Sequence, residues 1–251
     1  MTIIIISLLL LVFLGPDLTF TARVGIEDGT EAKPHSRPYM VSLQYYGEHI
    51  CGGSLITEEL VLTAAHCWEE GDVLTVVVGA HGLSKNEIYD SFEVESYIPH
   101  PDYNLNPDLN DIMLLKLKNK VRLSNIVGLI SLPKDGEDVE ADTLCSVAGW
   151  GGLWSNGPVP DRLMEAETII VNDAECERRW GSYYVASEMI CVYGHGGSCN
   201  GDSGGPLVCN NTAVGITAFG DRYLCNSRLY PNAYTKISTY LQWIQLKVKN
   251  I

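Results

Sequence analysis

A serine hydroxyl is a poor nucleophile until a base takes its proton and donors await the developing oxyanion. Ser203 sits in a stretch that could supply those donors: Ser198-Cys199-Asn200-Gly201-Asp202-Ser203-Gly204-Gly205-Pro206, followed by the apolar Leu207-Val208 and Cys209. Gly201 has no side chain, so its N–H can come close to a ligand. Alone, the cluster reads as a polar turn between strands. Two upstream strings change that reading. His66 stands in Leu62-Thr63-Ala64-Ala65-His66-Cys67, and Asp111 opens the apolar run Asp111-Ile112-Met113-Leu114-Leu115. A lone histidine is usually a surface or satisfied core residue, and a lone aspartate before a strand usually caps it. Together, the three supply nucleophile, base and orienting acid in the chain order His, Asp, Ser.

That order and the three strings resemble the trypsin/chymotrypsin-like serine peptidases, from about Ile26 to the C-terminus. Thr30-Glu31-Ala32-Lys33-Pro34-His35-Ser36-Arg37-Pro38-Tyr39-Met40 resembles the granzyme and mast-cell protease branch. The resemblance implies an all-β fold: two antiparallel six-stranded β-barrels with a C-terminal α-helix and a cleft between the barrels. His66 and Asp111 would come from the first barrel and Ser203 from the second. His66 would shuttle the Ser203 proton, Asp111 would orient the imidazole, and the N–H groups of Gly201 and Ser203 would form the oxyanion hole. The implied disulfides are Cys51–Cys67, Cys145–Cys209, Cys176–Cys191 and Cys199–Cys225, the last absent from the granzyme B-like group.

The implied specificity pocket has Gly197 at its base and Ser198 beside it, with Ala218, Phe219 and Gly220, then Asn232, along the far wall. Trypsin-like relatives carry Asp at the Gly197 position, so cleavage after Arg or Lys is not expected. Asn232 should narrow the base without adding charge, favouring an uncharged, middle-sized residue before the cut bond. Ala218 replaces a serine that in most relatives donates to the catalytic aspartate. By resemblance, proteolysis before Ile26 frees an amine that pairs with Asp202. The usual Ile/Val-Gly-Gly pattern is broken here by Glu27-Asp28. A trypsin-type cut after Arg23 would instead expose Val24; Ile26 keeps the downstream register.

Something must hold these residues in place. Short apolar segments between Gly, Pro and Asn/Asp turns predict strands at Met40–Tyr45, Ser54–Ile56, Val61–Thr63, Leu74–Val78, Ile112–Leu117, Thr143–Ala148, Glu167–Val171, Pro206–Val208 and Ala213–Ala218. Such spacing argues for a sandwich or barrel. No internal repeat is visible. Residues 128–141, acidic and turn-rich, are the expected crossover, dividing barrels of about 26–130 and 131–237. Residues 238–251 are expected to form a helix. Its apolar face of Ile237, Leu241, Ile244 and Val248 is expected to pack on the second barrel.

The chain has 251 residues, 46% hydrophobic and 19% charged, enough for a substantial core. Ile3–Leu14 is apolar but too short to span a bilayer, which takes roughly 20 residues. It fits a secretory signal peptide over 1–22, leaving a propeptide at 23–25. Eight cysteines then suit a disulfide framework, and no zinc-type spacing assigns a metal. Against 31 acidic residues stand 17 basic ones, a net charge of −14. This disfavours nucleic acid and heparin-like partners. Asn210-Asn211-Thr212 is a glycosylation sequon. The expected protein is a monomeric, cofactor-free endopeptidase, secreted or stored in granules and not membrane-bound. Its partners are polypeptide substrates, an activating protease and serpin-type inhibitors. The alternatives are a digestive or complement-type protease, or a catalytically weak binding homologue.

Overall fold

The computed structural model describes residues 26–84, 87, 89–105 and 108–249. The expected signal peptide and propeptide lie outside the described residues. The first barrel consists of β1 (Met40–Tyr45), β2 (Glu48–Thr57), β3 (Leu60–Thr63), β4 (Leu74–Val78), β5 (Asp90–Pro99) and β6 (Met113–Leu117). Its strands pair antiparallel in the order β1-β2-β3-β6-β5-β4, and β4 closes on β1. The second consists of β7 (Leu144–Gly149), β8 (Met164–Ile170), β9 (Met189–Gly194), β10 (Pro206–Cys209), β11 (Thr212–Phe219) and β12 (Asn232–Lys236). It pairs in the same order, β7-β8-β9-β12-β11-β10, and closes on β7. The barrels thus share one topology although the sequence shows no repeat.

The expected all-β, two-barrel fold is what forms. β1 and β4 coincide with the predicted segments. β5, β9 and β12 were not singled out by pattern. β5 carries Glu93 and Glu95 on an exposed face and opens on exposed Asp90 and Ser91, so its strand state comes from pairing with β4 and β6 rather than from its own apolar alternation. Helix α1 (Asp173–Trp180) was also unforeseen, yet its signals are local. Asn172 caps it by accepting from the Glu175 N–H at 2.9 Å, Asp173 and Glu175 sit in the first turn, and Arg178 and Arg179 in the last.

Two expectations about the ends need correcting. The segment from Ile26 belongs with the second barrel, not the first. Thr30 and Glu31 pair with Glu165 and Met164 of β8, and Ile26 is fully buried among Val147, Leu207 and Tyr234. Burying an isoleucine there outweighs its proximity in sequence to β1. At the other end, a 3₁₀ turn (Ile237–Tyr240) leads into α2 (Leu241–Lys249), shorter than the predicted helix. Ile237, Leu241 and Ile244 are buried, but Val248 is largely open. The buried three join a cluster that draws on both barrels, with Leu114 and Leu115 from the first and Val208, Ala213 and Ile216 from the second, and Tyr240 and Trp243 each pack on His100 with ring centroids 5.3 Å apart. The C-terminal segment therefore touches both barrels rather than the second alone. Four disulfides join Cys51–Cys67, Cys145–Cys209, Cys176–Cys191 and Cys199–Cys225.

Candidate active site

His66 sits in a 3₁₀ turn, Ala65–Cys67, just past β3, and the Cys51–Cys67 disulfide anchors that turn to β2. Asp111 directly precedes the last strand of the same barrel and is fully buried. Its carboxylate makes two contacts with His66: Oδ1 accepts from the backbone N–H at 2.9 Å, and Oδ2 lies 2.6 Å from Nδ1. A proton on Nδ1 is thereby held against the carboxylate, which leaves Nε2 as the basic nitrogen. Thr235 of β12 donates its hydroxyl to the Asp111 carbonyl at 2.8 Å, so the second barrel steadies the acid of the first. Both of these carboxylate contacts come from His66, and alanine at 218 can donate nothing from its side chain.

The serine turn is pressed into the seam between the barrels. The Gly52 N–H donates to the Ser203 carbonyl at 2.7 Å, and the Gly204 N–H donates to the Thr217 carbonyl at 2.8 Å. Gly204 has φ +78°, and a Cβ there would lie 2.2 Å from Thr63 Oγ1 and 3.1 Å from the Ala64 nitrogen. Only glycine allows that approach, which sets the residue after Ser203 against the strand end that carries His66.

Gly201 (φ +97°) is held from behind by a histidine that sequence reasoning did not single out. His49 Nε2 lies 2.9 Å from the Gly201 carbonyl and His49 Nδ1 lies 2.8 Å from Ser42 Oγ. Burial pushes the imidazole down to about 4. Neutral at physiological pH, it donates from Nε2 and accepts from the Ser42 hydroxyl. A histidine in an otherwise ordinary strand carries no local signal of this role; only tertiary proximity assigns it.

Asp202 is completely buried. It accepts from the Gly151 N–H (Oδ1, 2.8 Å) and the Cys199 N–H (Oδ2, 2.8 Å). Burial pushes its carboxyl up to about 7, and no charged neighbour offsets that rise. A Cβ on Gly149 or Gly151 would fall 2.0 and 2.5 Å from this side chain, so the carboxylate occupies space that only glycines leave.

Beside Ser203 opens a cavity of about 310 Å³ lined by Ser198, Ser203, Phe219, Gly220, Arg222 and Asn232. The Asn232 amide spans its floor: Nδ2 donates to the Ser198 carbonyl at 2.8 Å. A Cβ on Gly197 would meet Asn232 Oδ1 at 2.8 Å, and one on Gly220 would meet Nδ2 at 2.9 Å. Ser198 is tied by its hydroxyl to Tyr234. Ala218 lines the same wall, and Phe219 packs edge-on against Trp180 at 5.0 Å. Arg222 at the mouth was not foreseen. The structure thus gathers the sequence-selected pocket residues around one cavity, with Gly197 behind its floor. Asn210 lies apart, exposed in the hairpin turn between β10 and β11 with φ +48°.

Residues 26–244 match the family described as Trypsin. The chain belongs to the trypsin family. It is 42% identical to granzyme-like protein 1 of Rattus norvegicus over 98% of each chain. Granzyme B of the same species is also 42% identical, over 96% of this chain and 98% of the relative. Cathepsin G of Homo sapiens is 40% identical over 97% and 94%. Among solved structures, neuropsin, a serine protease expressed in the limbic system of mouse brain, aligns with TM-score 0.83 and 34% identity. It covers 89% of this chain and all of that one. This trypsin-family protein is a serine-type endopeptidase, a hydrolase. The Sγ atoms of Cys51 and Cys67 approach His66 but are joined to each other, so this group is not a free ligand set. No helix among the described residues is long and apolar enough to cross a membrane.

Proposed function

We propose that Ser203, His66 and Asp111 form the triad with which this peptidase cuts polypeptides. Ser203 attacks the peptide carbonyl while His66 Nε2 takes its proton, and the imidazolium then protonates the leaving amine. Asp111 holds the tautomer and stabilises the charged ring. The N–H groups of Gly201 and Ser203 receive the oxyanion, and His49 fixes the Gly201 carbonyl. The observation that carries this reading is the 2.6 Å contact between His66 Nδ1 and Asp111 Oδ2, together with Gly204 packed against Thr63 and Ala64. A fluorophosphonate probe tests it. Stoichiometric labelling of the matured protein at Ser203 is expected; no labelling overturns the triad. A catalytically weak binding homologue is the second reading, favoured only by alanine at 218.

Cleavage before Ile26 is the proposed activating step. The new amine would enter the second barrel with the buried Ile26 side chain and pair with Asp202, whose buried carboxylate otherwise has no cation. An amine at Val24 would be two residues too long for the buried Ile26. The amide across the pocket floor supports preference for an uncharged, middle-sized residue before the cut bond. A peptide-library profile dominated by Arg, Lys or Asp would contradict that preference.

Residues 1–22 would direct secretion, and the granzyme and cathepsin G relatives support storage in granules. A net charge of −14 argues against retention on heparin-like chains, so elution from heparin resin at very low salt is expected. The activated peptidase would act as a monomer without cofactor and be a target for serpin-type inhibitors. The exposed turn at Asn210 suits an N-linked glycan.

A further inference from the structure

The least expected residue of the activation segment is Glu27, an acid beside the fully buried Ile26. It is neither fully buried nor solvated. Its main chain forms an isolated antiparallel bridge with Gly197, and the Gly197 N–H donates to the Glu27 carbonyl at 3.1 Å. Gly196 makes room for this contact, since a Cβ there would lie 2.7 Å from the Glu27 carbonyl oxygen. The side chain then reaches Asn226, next to Cys225 of the pocket lining. Glu27 Oε2 accepts from the Asn226 N–H at 3.1 Å, and the Cys225 N–H also supports the carboxylate. Burial raises its carboxyl above the usual range, with neighbouring Asp28 adding to the rise and these two amides opposing it.

Cys225 lines the pocket and is joined to Cys199, also in the lining, while Gly197 lies behind the floor and next to Cys225 and Asn226. Glu27 therefore touches this part of the pocket twice from behind, once with its backbone and once with its side chain. Cys225 and Asn226 lie in a turn that offers their N–H groups no strand partner. An inward N–H without an acceptor is unfavourable, so the carboxylate decides where this part of the wall settles.

We propose that Glu27 is a positioning residue for the substrate pocket: its carboxylate fastens the Cys225–Asn226 wall, so that docking of the activation segment shapes the site that receives the side chain before the cut bond. This rests on the activation and pocket reading above. It adds a second link to the one through Asp202: Asp202 holds the Cys199 N–H of the pocket lining, whereas Glu27 holds the Cys225–Asn226 turn on the other end of that disulfide.

The matured Glu27→Val and Glu27→Gln proteins test the idea with a series of peptides differing only in the residue before the cut bond. For Glu27→Val, KM is expected to rise about tenfold for peptides with a long side chain there and to stay within about twofold for alanine, with kcat little changed. Glu27→Gln, which keeps an acceptor oxygen, should recover most of the loss. Fluorophosphonate labelling, which does not need the pocket wall, should proceed at the wild-type rate in both variants. Equal losses across all peptides, failure of glutamine to rescue, or an unchanged KM in the valine variant would overturn the proposal. Failure of the wild type itself to label would strike the triad instead, and with it the role given to Glu27.

Discussion

The two barrels share a strand order but contribute different parts of the proposed site. The first is filled by apolar side chains: Val41, Leu43, Leu55, Leu62, Val76, Leu114 and Leu115 are all fully buried. It presents His66 and Asp111 already locked together, with a disulfide beneath the histidine. Both barrels bury polar groups, among them Ser42, Ser54, Thr63 and Asp111 in the first and Ser198, Asp202, Thr217 and Asn232 in the second, but around the second barrel's site glycines let main chain and carboxylate come close. Its serine turn and pocket are shaped by backbone hydrogen bonds and by the segment from Ile26 to Glu31. In the proposed reading, one topology thus yields a holder of the base and a partner whose site depends on the segment from Ile26. Buried apolar contact is non-directional and hard to switch, whereas a buried carboxylate is governed by whether a cation is at hand.

The comparison can be broken at several points. The largest expected effect is Ser203→Ala in the second barrel or His66→Ala in the first. Each should lower kcat by about 10⁶-fold, and the double variant should lose little more, because the residues act as one device. Single-turnover measurements of the three proteins check this. Additive losses would mean that the barrels contribute separately.

Next come two changes that should separate stability from switching. Leu62→Ala should lower folding stability by about 2–5 kcal/mol while leaving the surviving folded protein active. Asp202→Asn should do the reverse, cutting matured activity by roughly 10²–10³-fold, the scale of a broken buried ion pair. In the uncut chain Asp202 titrates near 7 when folded, against about 4 when unfolded. The folded form therefore keeps its proton longer. This group's contribution to stability is greatest below about pH 4, declines as pH rises towards 7 and then levels off. Melting curves from pH 4 to 8 should show the decline in the uncut chain and its absence in Asp202→Asn.

Smaller effects sharpen the account of the pocket and of the acid. Asn232→Gly opens the floor and should raise kcat/KM for peptides with a large aromatic residue before the cut bond by about tenfold, a change within the range that pocket shape controls. Ala218→Ser offers Asp111 a new donor and should raise kcat by severalfold, consistent with one added hydrogen bond to a buried charge. No gain would mean that the two contacts from His66 already satisfy the acid.

Much of this was legible in the residues, and for identifiable reasons. Catalytic chemistry needs particular side chains, so His66, Asp111 and Ser203 carry local strings that can be read in order. Alternating or continuous apolar runs mark β1, β4 and β6 because those strands are buried on their own account. β5 escaped notice because its acidic face is solvated and its pairing comes from neighbours. His49 escaped because its task is defined by the Gly201 carbonyl across a barrel seam, far away in sequence.

Residue types and order alone therefore pointed to the proposed nucleophile, base and acid and gave the cysteine content and the all-β class, since each is expressed within a few neighbouring positions. Tertiary structure decided that Ile26 sits with the second barrel, that the C-terminal segment touches both barrels, that His49 holds the Gly201 carbonyl and that Glu27 reaches the Asn226 N–H beside the pocket. Those outcomes depend on which distant amides, carboxylates and apolar faces meet when water is excluded, and no run of adjacent residues encodes such a meeting.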